Sequence, residues 1–162
     1  MRLNGLKEQD LRGKIWFMPT DTIPGISALY GDKVALDKIY KIKERDKSKT
    51  VISLCSNVDH IEKVLGRKLT KTEQEVTLSL SGNPTTIIII EGRSTRLVTN
   101  QKVRSFIEKV GPIYSTSCNR SGKNSITSVI DAQQEFGDQI DYYVTEDVKG
   151  TNESSTIIKI IR

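Results

Sequence analysis

The sequence predicts an α/β fold built on a twisted mixed sheet flanked by helices. Three observations point there. Runs of β-branched residues alternate with runs whose apolar residues recur every three or four positions. One run, "TTIIIIE" (85–91), is β-branched and unbroken up to Glu91, as a strand buried on both faces reads. Strands and helices do not alternate strictly along the chain, so a simple Rossmann repeat is not expected.

The elements follow in order. "KIWFM" (14–18) reads as a first strand, ended by Pro19. "DKVALDKIYKIK" (32–43) reads as a helix with Asp32 as N-cap and Val34, Ala35, Ile39 and Ile42 turned inward. "TVISLC" (50–55) is a second strand, and "NVDHIEKVLG" (57–66) is a short helix closed by Gly66. "TKTE" (70–73) has the form of a capping box, with Thr70 capping and Glu73 reaching back. The 85–91 run is expected near the middle of the sheet, paired with "TRLVT" (95–99) through a turn at Gly92. "NQKVRSFIEKVG" (100–111) is a helix from cap Asn100 to Gly111, and "PIYSTSC" (112–118) is a strand that stops at "NRSGKNS". "TSVIDAQQEFG" (127–137) is a helix, and "YYVT" and "TIIKII" are late strands. The length of 162 residues predicts one domain, residues 1–162, with a proper core.

Composition narrows the function classes. Hydrophobic residues at 36% and charged residues at 28% fit a soluble globular chain. The net charge of +5 admits an anionic partner, but 20 acidic residues are interspersed among the 25 basic ones. Cys55 and Cys118 form no CxxC pair and His60 is the single histidine, so neither a zinc site nor a catalytic Cys–His pair is expected. Both cysteines adjoin strand-like runs and read as buried, reduced thiols of a cytoplasmic protein. The longest apolar run, Ile87 to Ile90, falls far short of the ~20 residues of a membrane span, and "MRLNGLKEQD" has no apolar signal core. There is no Walker loop, no GxSxG elbow and no GxGxxG.

Three polar stretches follow strands. "PTDTIPGIS" (19–27) is stiffened by two prolines and a glycine and offers Thr20, Asp21 and Thr22; it reads as a turn or as a ligand loop. "KIKERDKSK" (41–49) carries five bases. Lys41 and Lys47 fit a solvated helix end, whereas Lys43, Arg45 and Lys49 lead into a strand and suit an anion. "STSCNRSGKNS" (115–125) surrounds Arg120, Gly122 and Lys123 with small hydroxyls and amides, as a serine-rich loop or as a phosphate cradle.

In this order the stretches resemble the YrdC family, the threonylcarbamoyl-adenylate synthases. "PTDTIPGIS" is similar to the family's PTDTvYGL, and "KERDKSK" to KxRxxxK with Lys43, Arg45 and Lys49 at its spacing. "STSCNRSG" resembles STSAN.SG, which places Ser117 and Asn119 on that signature pair, and "SSTIIKI" (154–160) resembles PSTvvd at Ser155 and Thr156. "SGNPTTIIII" is a looser echo of PGPvT, and "TRLVT" of aVRvP, with Arg96 as its arginine or, in another register, Leu97 there. The likeness spans residues 13 to 160. Pro24 stands for the usual Tyr, Asp46 for the usual Pro, and Asn83 interrupts PGP.

The resemblance implies a single-domain YrdC-like fold with an open concave face. It implies that L-threonine, bicarbonate or CO2, and ATP give threonylcarbamoyl-AMP and pyrophosphate, for N6-modification of tRNA adenosine 37. Lys43 and Arg45 would be catalytic. ATP would meet Lys43, Arg45, Lys49, Ser117 and Asn119, with Mg2+ carried on the triphosphate and no protein metal ligand. Threonine would meet Thr20, Thr22, Arg96 and Ser155. A downstream threonylcarbamoyl transferase complex would take the product, tRNA is a further candidate partner, and no membrane is involved. Two alternatives stay open: an RNA-binding module of the same fold, and carbamoyl-adenylate chemistry on another acceptor.

Overall fold

A computed structural model describes residues 1–49, 51–80, 86–153 and 155–161. Eight strands lie among them: β1 (Trp16–Met18), β2 (Gly25–Leu29), β3 (Ile52–Cys55), β4 (Thr86–Ile90), β5 (Arg93–Leu97), β6 (Ile113–Ser117), β7 (Tyr142–Tyr143) and β8 (Thr156–Ile160). The helices are α1 (Glu8–Leu11), α2 (Lys33–Lys43), α3 (Val58–Leu65), α4 (Lys71–Leu80), α5 (Gln101–Val110) and α6 (Val129–Phe136). The strands form one mixed sheet in the order β7-β1-β2-β6-β3-β5-β4-β8. β7 and β1, β3 and β5, and β4 and β8 run parallel; the other neighbours are antiparallel.

Side-chain chemistry sets the element ends. Asp32 accepts from Ala35 N at 3.0 Å, Asn57 from His60 N at 2.9 Å, and Ser128 from Asp131 N at 3.0 Å, each satisfying an orphan helix donor. The capping box forms reciprocally: Glu73 N donates to Thr70 Oγ1 at 3.2 Å and Thr70 N to Glu73 Oε2 at 2.9 Å. β4 and β5 join through Glu91 and Gly92, both at positive φ (50° and 77°), the geometry of a tight two-residue hairpin.

Alternation along β1 divides the core between the two sheet faces. Trp16 and Met18 pack with α5 residues Val103, Phe106 and Ile107, and the Trp16 ring meets Phe106 edge-on at 6.1 Å. Phe17 packs on the other face with Ile26, Ala28, Ile39 of α2 and Phe136 of α6. A third cluster places Ile61 and Val64 of α3 against Ile88 and Ile90. Both cysteines are buried free thiols.

Two expectations need correction. Val34 is 64% exposed: it lies on the solvent side of the first turn of α2, while Ala35, Ile39 and Ile42 are buried. β4 is not near the middle of the sheet but next to its edge, with β8 beyond it. α3 covers the face that carries Ile88 and Ile90, β8 flanks the strand, and Ile87 lies on the opposite face. The central pair is β6 and β3, and β6 carries Ser115, Thr116 and Ser117 rather than an apolar run.

Candidate active site

A hollow of about 300 Å3 crosses the strands β2, β6, β3, β5, β4 and β8. It is lined by Thr20, Thr22, Arg45, Arg96, Ser117 and Ser155 from the sequence-predicted set, together with Gly25, Ser115, Thr116 and the apolar Ile23, Val51, Ile52, Ile87 and Ile157. The chain thus brings five distant stretches to one cavity. Lys43, Lys49 and Asn119 do not line it.

The loop between β1 and β2 is held by its own hydroxyls. Thr20 Oγ1 donates to the Ile23 carbonyl at 2.7 Å and accepts from Thr22 N at 3.2 Å, which fixes both threonines with little exposure. β2 then begins at Gly25, opposite Ser117. A Cβ there would come within 2.7 Å of Ser115 Oγ and 2.8 Å of the Thr116 carbonyl, so glycine is what lets β2 close on β6. A second close approach straps the loop from outside. A Cβ on Gly150 would sit 1.9 Å from the Thr22 carbonyl, and Thr151 N and Asn152 N donate to the carbonyls of Asp21 and Thr22, each at 3.3 Å. That strap leads the chain to Ser155.

Arg96 organises this end. Its Nη1 donates to Thr22 Oγ1 and to Ser155 Oγ, both at 2.8 Å, and its Nη2 to Asp21 Oδ1 at 2.8 Å. The pair is buried on both sides, at 4% side-chain exposure each. Burial lowers the Arg96 pKa and the Asp21 charge opposes that shift. Arg96 Nε is buried and has no hydrogen-bond partner among the described residues. The register question closes here: Arg96 faces the hollow, and Leu97 packs against the α3 cluster.

The other end is built where α2 exits. The helix stops at Glu44, which adopts a left-handed φ of 52°. Arg45 follows, lines the hollow and donates from Nη1 to Thr116 Oγ1 at 3.2 Å. Lys43 lies beneath, 2% exposed. Its ammonium donates to the Ser117 carbonyl and, at 2.9 Å, to Asn119 Oδ1, which also accepts from Ser117 Oγ at 2.6 Å. Burial, reinforced by the Arg45 charge, lowers the Lys43 pKa to about 8. Lys43 therefore touches Ser117 and Asn119 directly, with no open space between. Lys49 is exposed on the following turn, and its carbonyl accepts from Tyr40 OH at 2.7 Å. Lys47 pairs with Asp37 at 2.9 Å on the surface.

Sequence reading named two further residues without finding their roles. Asp21 is the acidic partner of Arg96; its place in a Pro-rich loop hid this, since a turn aspartate more often bonds its own backbone. Arg120 is not a ligand-facing cation but a clamp. Its Nη1 donates to the Ile42 carbonyl at 2.9 Å and its guanidinium lies 5.0 Å over the Phe136 ring, while Ser121 N donates to the Lys43 carbonyl at 2.8 Å. The loop after β6 thus satisfies the last carbonyls of α2. Pro24 lies outside the hollow and lines a separate cavity with Phe17, Pro19 and Val144, which Thr20 and Thr22 also line. The "SGNPT" stretch (81–85), with Asn83, and Ser154 lie outside the described residues. Among the described residues no cluster of His, Cys, Asp and Glu is placed to hold a metal ion, and no helix is long and apolar enough to cross a membrane.

The family model for Sua5, YciO and YrdC proteins, described as telomere recombination, matches residues 10–162. A putative threonylcarbamoyl-AMP synthase of Methanocaldococcus jannaschii is 30% identical, over 98% of this chain and 80% of its own. A threonylcarbamoyl-AMP synthase of Pseudoalteromonas translucida is 26% identical, over 90% of this chain and 86% of its own. Among solved structures, P. abyssi Sua5 complexed with L-threonine superposes with a TM-score of 0.77 at 22% identity; the match covers 96% of this chain and 52% of Sua5, about half its length.

Proposed function

The chain belongs to the Sua5/YciO/YrdC family, and from that premise we propose that it is an L-threonylcarbamoyladenylate synthase. It joins L-threonine, bicarbonate or CO2, and ATP into threonylcarbamoyl-AMP with release of pyrophosphate. The observation that carries this reading is the single hollow. At one end it presents Arg96 with the hydroxyls of Thr22 and Ser155, and at the other Arg45 with the hydroxyls of β6.

The chemistry asks little of a base. A neutral amine and CO2 give a carbamate, which is already an anion and attacks the α-phosphorus as pyrophosphate leaves. The site must bring two anions together and stabilise charge that builds on the phosphate oxygens. In this reading the threonine carboxylate meets Arg96, whose buried Nε lacks a partner among the described residues. Thr20, Thr22 and Ser155 hold the rest of the amino acid. Arg45 meets the α-phosphate, and Ser117 orients a phosphate or carbamate oxygen. Lys43 holds Ser117 and Asn119 in place and lends its charge from below. Lys49, two residues before the hollow-lining Val51, meets the outer phosphates at the lip. Mg2+ would come as part of the ATP substrate and supply countercharge to its phosphates; the hollow itself offers hydroxyls and guanidinium groups, poor company for a protein-held cation. The product serves N6-threonylcarbamoylation of tRNA adenosine 37 through a downstream transferase complex.

The deciding experiment incubates the purified protein with ATP, bicarbonate and each amino acid in turn, and weighs the adenylate by mass spectrometry. A threonine-only product is expected. A product with a different amino acid moves the reading to another acceptor. A second reading, an RNA-binding module, draws on the Tyr30 and Tyr114 rings, 5.1 Å apart in a shallow hollow with Arg93. Silence with every amino acid alongside tight tRNA binding would decide for it.

A further inference from the structure

Asp21 does not line the hollow, yet it is 4% exposed and both of its carboxylate oxygens are engaged. Oδ1 accepts from Arg96 Nη2 at 2.8 Å, and Oδ2 accepts from Thr99 N at 3.1 Å. Thr99 is backbone between β5 and α5, next to the cap Asn100. Asp21 therefore refers the guanidinium to the sheet–helix frame rather than to another mobile side chain. The other partners of Arg96, the hydroxyls of Thr22 and Ser155, are neutral and rotate freely about their C–O bonds. The carboxylate is the single ionised contact of this guanidinium among the described residues, and charge-assisted hydrogen bonds are about twice as strong as neutral ones.

We infer that Asp21 is a positioning residue: it sets the orientation of Arg96 so that the guanidinium faces a substrate carboxylate in the hollow. This deepens the proposed function and rests on its assignment of Arg96 to that carboxylate. The amide of asparagine cannot do the same work. It has one acceptor oxygen where Arg96 Nη2 and Thr99 N each supply a donor, so an N–H would be turned against an N–H.

The test compares binding of L-threonine and of L-threoninamide to the full chain by calorimetry, for the wild type and for Asp21→Asn. Threoninamide keeps the side chain and amine and lacks the carboxylate. The expected result is a loss of roughly 10- to 100-fold in threonine affinity with threoninamide affinity nearly unchanged, the signature of a misplaced carboxylate contact. Equal losses for both ligands would overturn the positioning role and make Asp21 a structural residue only. Failure of the wild type to bind threonine at all would overturn the functional reading instead. Should Asp21→Asn not fold, Asp21→Ser, with a small acceptor for Thr99 N, is judged by the same ratio.

Discussion

The two ends of the hollow solve the burial of positive charge in opposite ways. At the Arg96 end the cation has an ionised partner, Asp21, and both are sealed from solvent. At the α2 end Lys43 is equally buried, but its recorded acceptors are neutral: the Ser117 carbonyl, Ser117 Oγ and Asn119 Oδ1. The consequence shows in the lysine, whose pKa falls to about 8 because no carboxylate compensates its lost hydration. An end already neutralised is suited to hold a small zwitterion in a fixed pose. An end with uncompensated positive charge is suited to an incoming polyanion, which supplies the missing countercharge itself.

The largest expected effect breaks the cationic end. Arg45→Ala should lower threonine-dependent pyrophosphate release by about 100- to 1000-fold, as loss of one electrostatic contact does. The thermal midpoint should stay nearly unchanged, because Arg45 is only half-buried at a loop. Equal loss of fold and activity would make Arg45 structural and erase the contrast. Next comes the paired end, where the effect falls on the fold. Arg96→Met leaves Asp21 charged and buried, and should cost about 3–5 kcal/mol of stability in denaturant titration. The double change Arg96→Met with Asp21→Leu should recover most of it while leaving the protein inactive.

A third prediction uses pH. The folded-state pKa of Lys43 lies below its unfolded value of about 10.4. Between the two the unfolded chain binds more protons than the folded one, so this group makes stability rise as pH climbs from about 8 towards 10.4. Lys43→Met should remove that rise, seen as a flatter stability curve over the same interval. If Lys43 keeps the same slope as its methionine variant, the two ends do not differ as described. The smallest effect concerns Cys118, buried beside Lys43 with its thiol pKa pushed up to about 12 by burial. Cys118→Ala should retain activity and lose about 1 kcal/mol of stability from the emptied space. A folded but inactive variant would give the thiol a part in the cationic end.

Much of the frame was legible in the residues. Asp32, Thr70 with Glu73, Asn100 and Gly66 mark helix ends because capping is local chemistry, settled within four residues. The hairpin at Gly92 was legible for the same reason. The place of β4 was not. An apolar run reports burial, and it does not say what stands on each face: here α3 packs on Ile88 and Ile90, while Ile87 lines the hollow.

The site divides along the same line. The resemblance of short motifs to the family selected Thr20, Thr22, Arg45, Arg96, Ser117 and Ser155, which the fold brings to one hollow. Glycine stands at 25 and 150 in the sequence, but only the tertiary structure shows the close backbone approaches that need it there. Only the tertiary structure decided that Lys43 lies beneath the wall rather than in it, that Arg120 clamps α2, and that Asp21 backs Arg96. The reason is physical: capping and turns depend on neighbours along the chain. The surroundings of a charge depend on groups brought from 59 or more positions away, as the contacts of Lys43 and Arg96 are.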